Sequence, residues 1–296
     1  QRNLFSHIIG QIDDNNQGIS GIEKSFDKEL KLITKSLSLT VDADIQFLIR
    51  EELIKFQTIF RSKGSAAILM NVNNGEIISM VSYPDFDLNK RETMNDLNFI
   101  NRATKSVYEL GSVFKTFTIA AGLEEGVIEK DTKFLNLKKK LKCGKNTIGE
   151  YNNEIPSNLT AEQILIRSGN IGSVRIAQKL EIEKLRLFLD KIGVLKKINF
   201  DIEEVGEPIP FKWGKCKLAT VSFGHGITTT PLQLAKGYAI ITNGADGGRY
   251  DVLTVKENTN ERWRLSFEGS GADNSLTLFS NTKDDVMAWK NSSGFV

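Results

Sequence analysis

An apolar helix followed at once by a hairpin is the feature that most narrows what this chain can fold into. Ile45, Leu48, Ile49, Leu53 and Phe56 recur at helical spacing and predict one helix running to about Phe60, with Asp44 as its cap. Two β-rich runs follow, Ser65 to Val72 and Glu76 to Tyr83. They are joined through Asn74-Gly75, the dipeptide that best tolerates the positive φ angles of a tight turn. The helix needs a surface for its stripe and the hairpin supplies one. The expected class is α+β, an antiparallel sheet flanked by helices.

Further helices are marked by their ends. Gly111-Ser112-Val113-Phe114-Lys115 opens an apolar helix through Ala121 and Leu123, stopped by Gly126, with Ser112 near its first turn. Thr160-x-x-Gln163 is a capping box before Ile164-Leu165-Ile166. That helix is interrupted at Ser168-Gly169-Asn170 and resumes from Ile171 to Leu180; another covers Glu183 to Lys191 and ends at Gly193. Thr230-Pro231 starts the last one, with Gly244 as its stop. Residues 1–38 are polar with short apolar runs and read as a linker or the end of a preceding module rather than a core. Residues 39–244 form the main domain, and residues 245–296 change character, showing only short β-like runs such as Leu276 to Phe279.

Composition excludes several function classes. Lys and Arg number 39 against 37 Asp and Glu, a net charge of +2, so nothing points to nucleic acid. No window is apolar for the roughly 18 residues that a membrane-spanning helix needs. The first residue is Gln, which predicts a piece of something longer. Cys143 and Cys216 lie far apart with neither a CxxC pair nor a nearby His, so a zinc or thioredoxin-like reading has no support. Two buried thiols are expected, a single disulfide being the alternative in an oxidising compartment. Lys138-Lys139-Lys140 reads as a solvated face, and His225, in a Gly-rich turn, as structural or surface-exposed.

A serine hydroxyl is a poor nucleophile until a base takes its proton, and with only His7 and His225 in the chain a lysine is the natural base. Ser112 and Lys115 stand on one helix face. Apolar walls and the positive end of a helix would disfavour the charged lysine, as a base near neutral pH requires. Ser-x-x-Lys also occurs at Ser25 to Lys28 and Ser280 to Lys283, but only Ser112 has a preceding Gly and a following helix of small and apolar residues. Downstream, Ser168-x-Asn170 offers a second hydroxyl to relay a proton and an amide able to hold a substrate carbonyl and the lysine.

Ser112-x-x-Lys115 followed by Ser168-x-Asn170 resembles two of the three motifs of the penicillin-recognising serine acyltransferases. The hairpin from Gly64 to Met80, the stretch from Asn101-Arg102-Ala103 to Lys115, and Gly224-His225-Gly226-Ile227 leading to Thr230-Pro231-Leu232 look like the transpeptidase domain of class B penicillin-binding proteins, closest to the septal, cell-division subgroup. Gly21 to Asp27 resembles the end of the pedestal that precedes that domain. The resemblance implies Ser112 as the nucleophile acylated by peptidoglycan stem peptides or β-lactams, Lys115 as its base, Ser168 as proton shuttle, and Asn170 as the residue that orients Lys115 and substrate. The Ser112 N–H would be one oxyanion donor. It also implies lipid-linked glycan strands and other cell-division membrane proteins as partners, no cofactor, and a place on the periplasmic side of a bacterial inner membrane, anchored by an N-terminal helix outside this chain. The family's third motif, Lys-Thr-Gly or Lys-Ser-Gly, does not occur in the sequence; Lys290 to Gly294 is the nearest approach, with the wrong spacing. An incomplete fold after Gly244 and impaired catalysis are therefore expected, the alternative being a non-catalytic truncated or chimeric fragment.

Overall fold

Helix and hairpin fall where the pattern places them, but they meet through a different face. The computed structural model describes residues 3–32, 37–90, 96–151 and 154–243, together with the backbone of strands at 264–268, 275–279 and 287–288. The chain divides into two packing units, residues 1–108 with 192–209 and 228–239, and residues 109–191 with 210–227 and 240–296.

In the first unit, α1 (Ser6–Ile9), α2 (Gly21–Ser25) and α3 (Asp27–Leu32) precede α4 (Ala43–Phe60) and the antiparallel pair β1 (Ser65–Met70) and β2 (Ile77–Tyr83). The cap of α4 is Asp42, whose carboxylate accepts from Ile45 N at 2.9 Å, and not Asp44. Leu48, expected in the buried stripe, is 61% exposed, and the one fully buried side chain of α4 is polar. That residue is Gln46. Its amide donates to the carbonyls of Leu4 and Met80 and accepts from Ser79 Oγ and Met80 N, so all four of its hydrogen-bonding positions are filled. A polar side chain that satisfies a strand's backbone can occupy a core position an apolar pattern would assign to leucine.

The leader is corrected likewise. Ile8 and Ile22 are buried with Ile77, Met80 and Ala103 in one cluster, so residues 1–38 contribute to the core around β2. Their apolar residues are too sparse for a periodic signal but are enough to cover one strand face. Gly75 takes φ 77° in the hairpin, whose turn is wider than a two-residue link: Gly75 N donates to Asn71 O and Asn71 N to Glu76 O.

The second unit is built on α5 (Lys115–Glu124), which follows a single 3₁₀ turn at Gly111–Phe114. Phe114 and Phe117 pack edge to face at 5.0 Å, and nearly every side chain of α5 is buried. Short antiparallel pairs follow, β3 (Lys133–Phe134) with β6 (Leu159–Thr160) and β4 (Lys140–Cys143) with β5 (Asn146–Gly149). The capping box of Thr160 and Gln163 forms at the start of α6 (Ala161–Ile166). Helix α7 (Asn170–Lys191) is bent at Glu181, whose φ is 66°, matching the break expected before Glu183. Then comes α8 (Lys215–Val221). Helix α9 (Pro231–Asn243), whose residues up to Ala239 belong to the first unit, is opened by a reciprocal pair in which Thr230 Oγ1 accepts from Gln233 N and Gln233 Oε1 accepts from Thr230 N. Of residues 245–296 only β7 (Arg264–Glu268), β8 (Ser275–Phe279) and β9 (Met287–Ala288) are described, an antiparallel sheet in that order. The approximate motif at Lys290 to Gly294 lies outside the described residues.

The two cysteines are not free thiols. Cys143 at the end of β4 and Cys216 in α8 form a disulfide, with Cα atoms 5.4 Å apart. The β4–β5 hairpin, which no periodicity announced, is what brings them together.

Candidate active site

Gly111 takes φ 65°, which turns the chain sharply into the 3₁₀ turn and sets Ser112 at its start. Its N–H donates to Gly224 O at 3.3 Å. A Cβ on Gly224 would stand 2.0 Å from Gly111 O, so this approach of two backbones tolerates no side chain there. Thr118 Oγ1 of α5 donates to Ser222 O at 2.8 Å and holds the same loop.

Lys115 is only 1% exposed, yet its ammonium position is fully furnished. Nζ lies 2.9 Å from Ser112 Oγ, 2.7 Å from Ser168 Oγ and 2.7 Å from Ser168 O. Burial lowers its pKa from 10.5 to about 8, the Glu150 carboxylate pulling the other way. Ser168 reaches this position because it adopts φ 54°, the left-handed conformation that ends α6 and re-aims the chain into α7. The sequence read that segment as a turn between helices, and the turn carries the second hydroxyl to the lysine.

Among the described residues the hydrogen bonds of Lys115 go to Ser112 and Ser168, and Asn170 bonds elsewhere. Its amide donates to Gly149 O at 2.9 Å, which ties the start of α7 to the end of β5. Glu150 completes this attachment, one carboxylate oxygen accepting from Asn170 N at 2.6 Å and the other from Ile171 N at 3.0 Å. The lysine is held instead by Ser112 and Ser168.

Ser112, Ser168 and Asn170 all open onto a cleft of about 510 Å³, whose rim includes Glu109, Arg167 and His225. His225 is exposed, as expected of a Gly-rich turn, but it also lines this cleft. Its Nδ1 stands 3.0 Å from the Glu109 carboxylate and its ring stacks parallel to Phe223. Sequence reasoning missed Glu109 and Glu150. The former could have been sought three residues before Ser112; the latter directly follows the unanticipated β4–β5 hairpin and left no signal. Among the described residues no group of His, Cys, Asp and Glu could hold a metal ion.

Chemically, a neutral Lys115 amine has two N–H donors and one lone pair. With the donors on Ser168 O and Oγ, the lone pair faces the Ser112 hydroxyl and can take its proton.

Residues 65–277 match the family described as the penicillin binding protein transpeptidase domain. The match continues past Gly244, where the likeness was expected to stop. The "Probable peptidoglycan D,D-transpeptidase FtsI" of Caulobacter vibrioides is 32% identical over 257 residues, covering 85% of this chain and 43% of that protein. The peptidoglycan D,D-transpeptidase FtsI of Escherichia coli K12 is 28% identical over 269 residues, 80% of this chain and 45% of its own length. The chain thus spans less than half of these curated relatives. Among solved structures, penicillin binding protein 3 of Mycobacterium tuberculosis superposes with a TM-score of 0.72 at 23% identity, over 81% of this chain and 57% of the other.

Proposed function

The chain belongs to the penicillin-binding protein transpeptidase family, in its class B septal branch, and from that premise we propose that it is a peptidoglycan D,D-transpeptidase domain working through a Ser112 acyl-enzyme. Lys115 takes the Ser112 proton as Oγ attacks the carbonyl carbon of the penultimate D-alanine of a stem peptide. The Ser112 N–H, at the start of a 3₁₀ turn where backbone donors lack an internal partner, faces the developing oxyanion. As the tetrahedral intermediate collapses, the C–N bond breaks and Ser168 passes a proton to the departing D-alanine nitrogen, taking in its place the one that Lys115 received from Ser112. The amine of a second stem peptide then attacks the ester carbonyl, the bond from Ser112 Oγ to the acyl carbon breaks as the new amide forms, and the surplus proton of the amine ends on Ser112 Oγ. A β-lactam acylates the same oxygen by ring opening and keeps its leaving group attached. Asn170, fixed by Gly149, serves the substrate backbone rather than the lysine.

The observation that carries this reading is Lys115 Nζ, buried and bonded to two serine hydroxyls at 2.9 and 2.7 Å. The Cys143–Cys216 disulfide supports the periplasmic side of the inner membrane as its location, since such bonds persist in oxidising compartments. None of the described helices is long and apolar enough to cross a membrane. Lipid-linked glycan strands and other division proteins remain partners by family alone.

The sequence as given carries no Lys-Thr-Gly or Lys-Ser-Gly, and loss of one oxyanion donor costs about 100- to 1000-fold in rate. Slow acylation of this chain is therefore part of the proposal. The alternative, a non-catalytic fragment, draws on the same motif. Intact-mass measurement after incubation with benzylpenicillin separates them. An adduct absent from Ser112→Ala establishes the acyl-enzyme, and a folded protein with no adduct after prolonged incubation favours the fragment.

A further inference from the structure

We infer that Glu150 is the positioning residue of this site, the group that holds the Ser168-Gly169-Asn170 turn in register with Lys115. The inference rests on the acyl-transfer reading for its consequence but on separate geometry for its support.

A helix that starts at Asn170 leaves its first backbone N–H groups without internal partners, and here the chain supplies the partner from a distant segment. The two Glu150 oxygens accept separately from Asn170 N and Ile171 N, while the neighbouring Gly149 O accepts from the Asn170 side chain. Three hydrogen bonds from two consecutive residues thus fix the first turn of α7. A carboxylate at this end of a helix is also favoured by the helix dipole. The turn needs such a clamp because Ser168 holds a left-handed conformation that a serine does not adopt unaided, and both Ser168 atoms that bind Lys115 depend on it.

The same carboxylate acts on the lysine through space. Glu150 is the charged group that raises the Lys115 pKa against the lowering caused by burial. Glu109, Arg167 and His225 line the cleft itself, whereas Glu150 stands behind the Ser168-Gly169-Asn170 turn, bonded to the start of α7. Glu150 therefore does two separable things: its shape holds the relay hydroxyl in place, and its charge keeps the base from deprotonating too readily.

Two substitutions separate these roles. Glu150→Gln keeps the length, can accept from only one of the two N–H groups and removes the charge. Glu150→Asp keeps the charge and shortens the reach. Rates of acylation by a fluorescent penicillin, followed from pH 6 to 9.5, are expected to fall on the order of 10- to 100-fold in both variants, as misplacement of a relay group does. The acid limb of the profile should move to lower pH in Glu150→Gln and stay near the wild-type position in Glu150→Asp. A purely structural role would lower both rates and move neither limb, which would overturn the inference, as would wild-type rates in Glu150→Gln.

A second readout does not depend on acylation. In lysine-labelled protein the Lys115 side-chain resonance, assigned with Lys115→Arg, should titrate at lower pH in Glu150→Gln, and the Asn170 and Ile171 amides should exchange faster with solvent. If the wild type forms no adduct but these changes occur, the acyl-transfer reading fails while the positioning stands. If neither the titration nor the exchange changes, Glu150 does not position the site.

Discussion

Lys115→Arg tests the centre of the mechanism. The wild-type lysine titrates at about 8 because burial disfavours its charge, so at pH 7 about one molecule in ten carries the free amine, against roughly one in 2500 for an ordinary lysine near 10.4. Only the free amine can take the Ser112 proton. Acylation should therefore rise with pH, reach half its plateau near pH 8, and fall about tenfold per pH unit well below that point. Arginine keeps a cation within reach of the same two hydroxyls but stays protonated at every working pH. Removal of a general base lowers the rate by about 100- to 10,000-fold, and the limb at pH 8 should disappear with it. The assay is time-resolved labelling with a fluorescent penicillin between pH 6 and 9.5, corrected for reagent hydrolysis. A flat wild-type profile from pH 6.5 to 9, or an arginine variant that keeps both rate and limb, would refute the assignment of Lys115 as the base.

Three stability predictions follow from buried groups. His7 is held neutral by burial with Nε2 2.8 Å from Asn98 O, and its pKa falls to about 4. Its contribution is fully present above the unfolded pKa of about 6.5 and lost as pH falls through 4, a change of about 3 kcal/mol that should be missing in His7→Gln when urea unfolding is repeated across that window. Gln46→Ala strips the Met80 N–H and the Leu4 and Met80 carbonyls of buried partners, and should cost about 2–4 kcal/mol in the same assay. A Cβ on Gly172 would lie 2.5 Å from the Cγ1 of fully buried Ile164, so Gly172→Ala should cost about 1–3 kcal/mol. The loss should shrink when Ile164→Ala is added, and strict additivity of the two would argue against the contact.

How much of this could be read in advance depends on whether the signal is local. The hairpin at Asn74-Gly75, the capping box at Thr160 and the Ser168-Gly169-Asn170 turn are written in neighbouring residues, and all three form. The pairing of Ser112 with Lys115 needs only one turn of helix, so it was also legible. What failed depends on partners remote in sequence. Gln46 is buried because Met80 and Leu4 need its amide, and no window around Gln46 contains them. The β4–β5 hairpin has an alternation too short to stand out, so both products of that hairpin, the disulfide and Glu150, were missed as firm expectations. Asn170 shows the limit of motif reading: it lines the same cleft as Ser112 and Ser168, but its amide bonds to Gly149 rather than to Lys115.

The disulfide also changes what a cut in the chain would mean. Tyr151 is 94% exposed and lies between Cys143 and Cys216, as do Ser168 and Asn170, whereas Ser112 and Lys115 precede the bridge. A single proteolytic nick after Tyr151 would place Ser112 and Ser168 on different polypeptides. Those two pieces would still run as one molecule on a non-reducing gel and part only when the bridge is reduced, so the intact linkage makes a severed backbone survivable for this site.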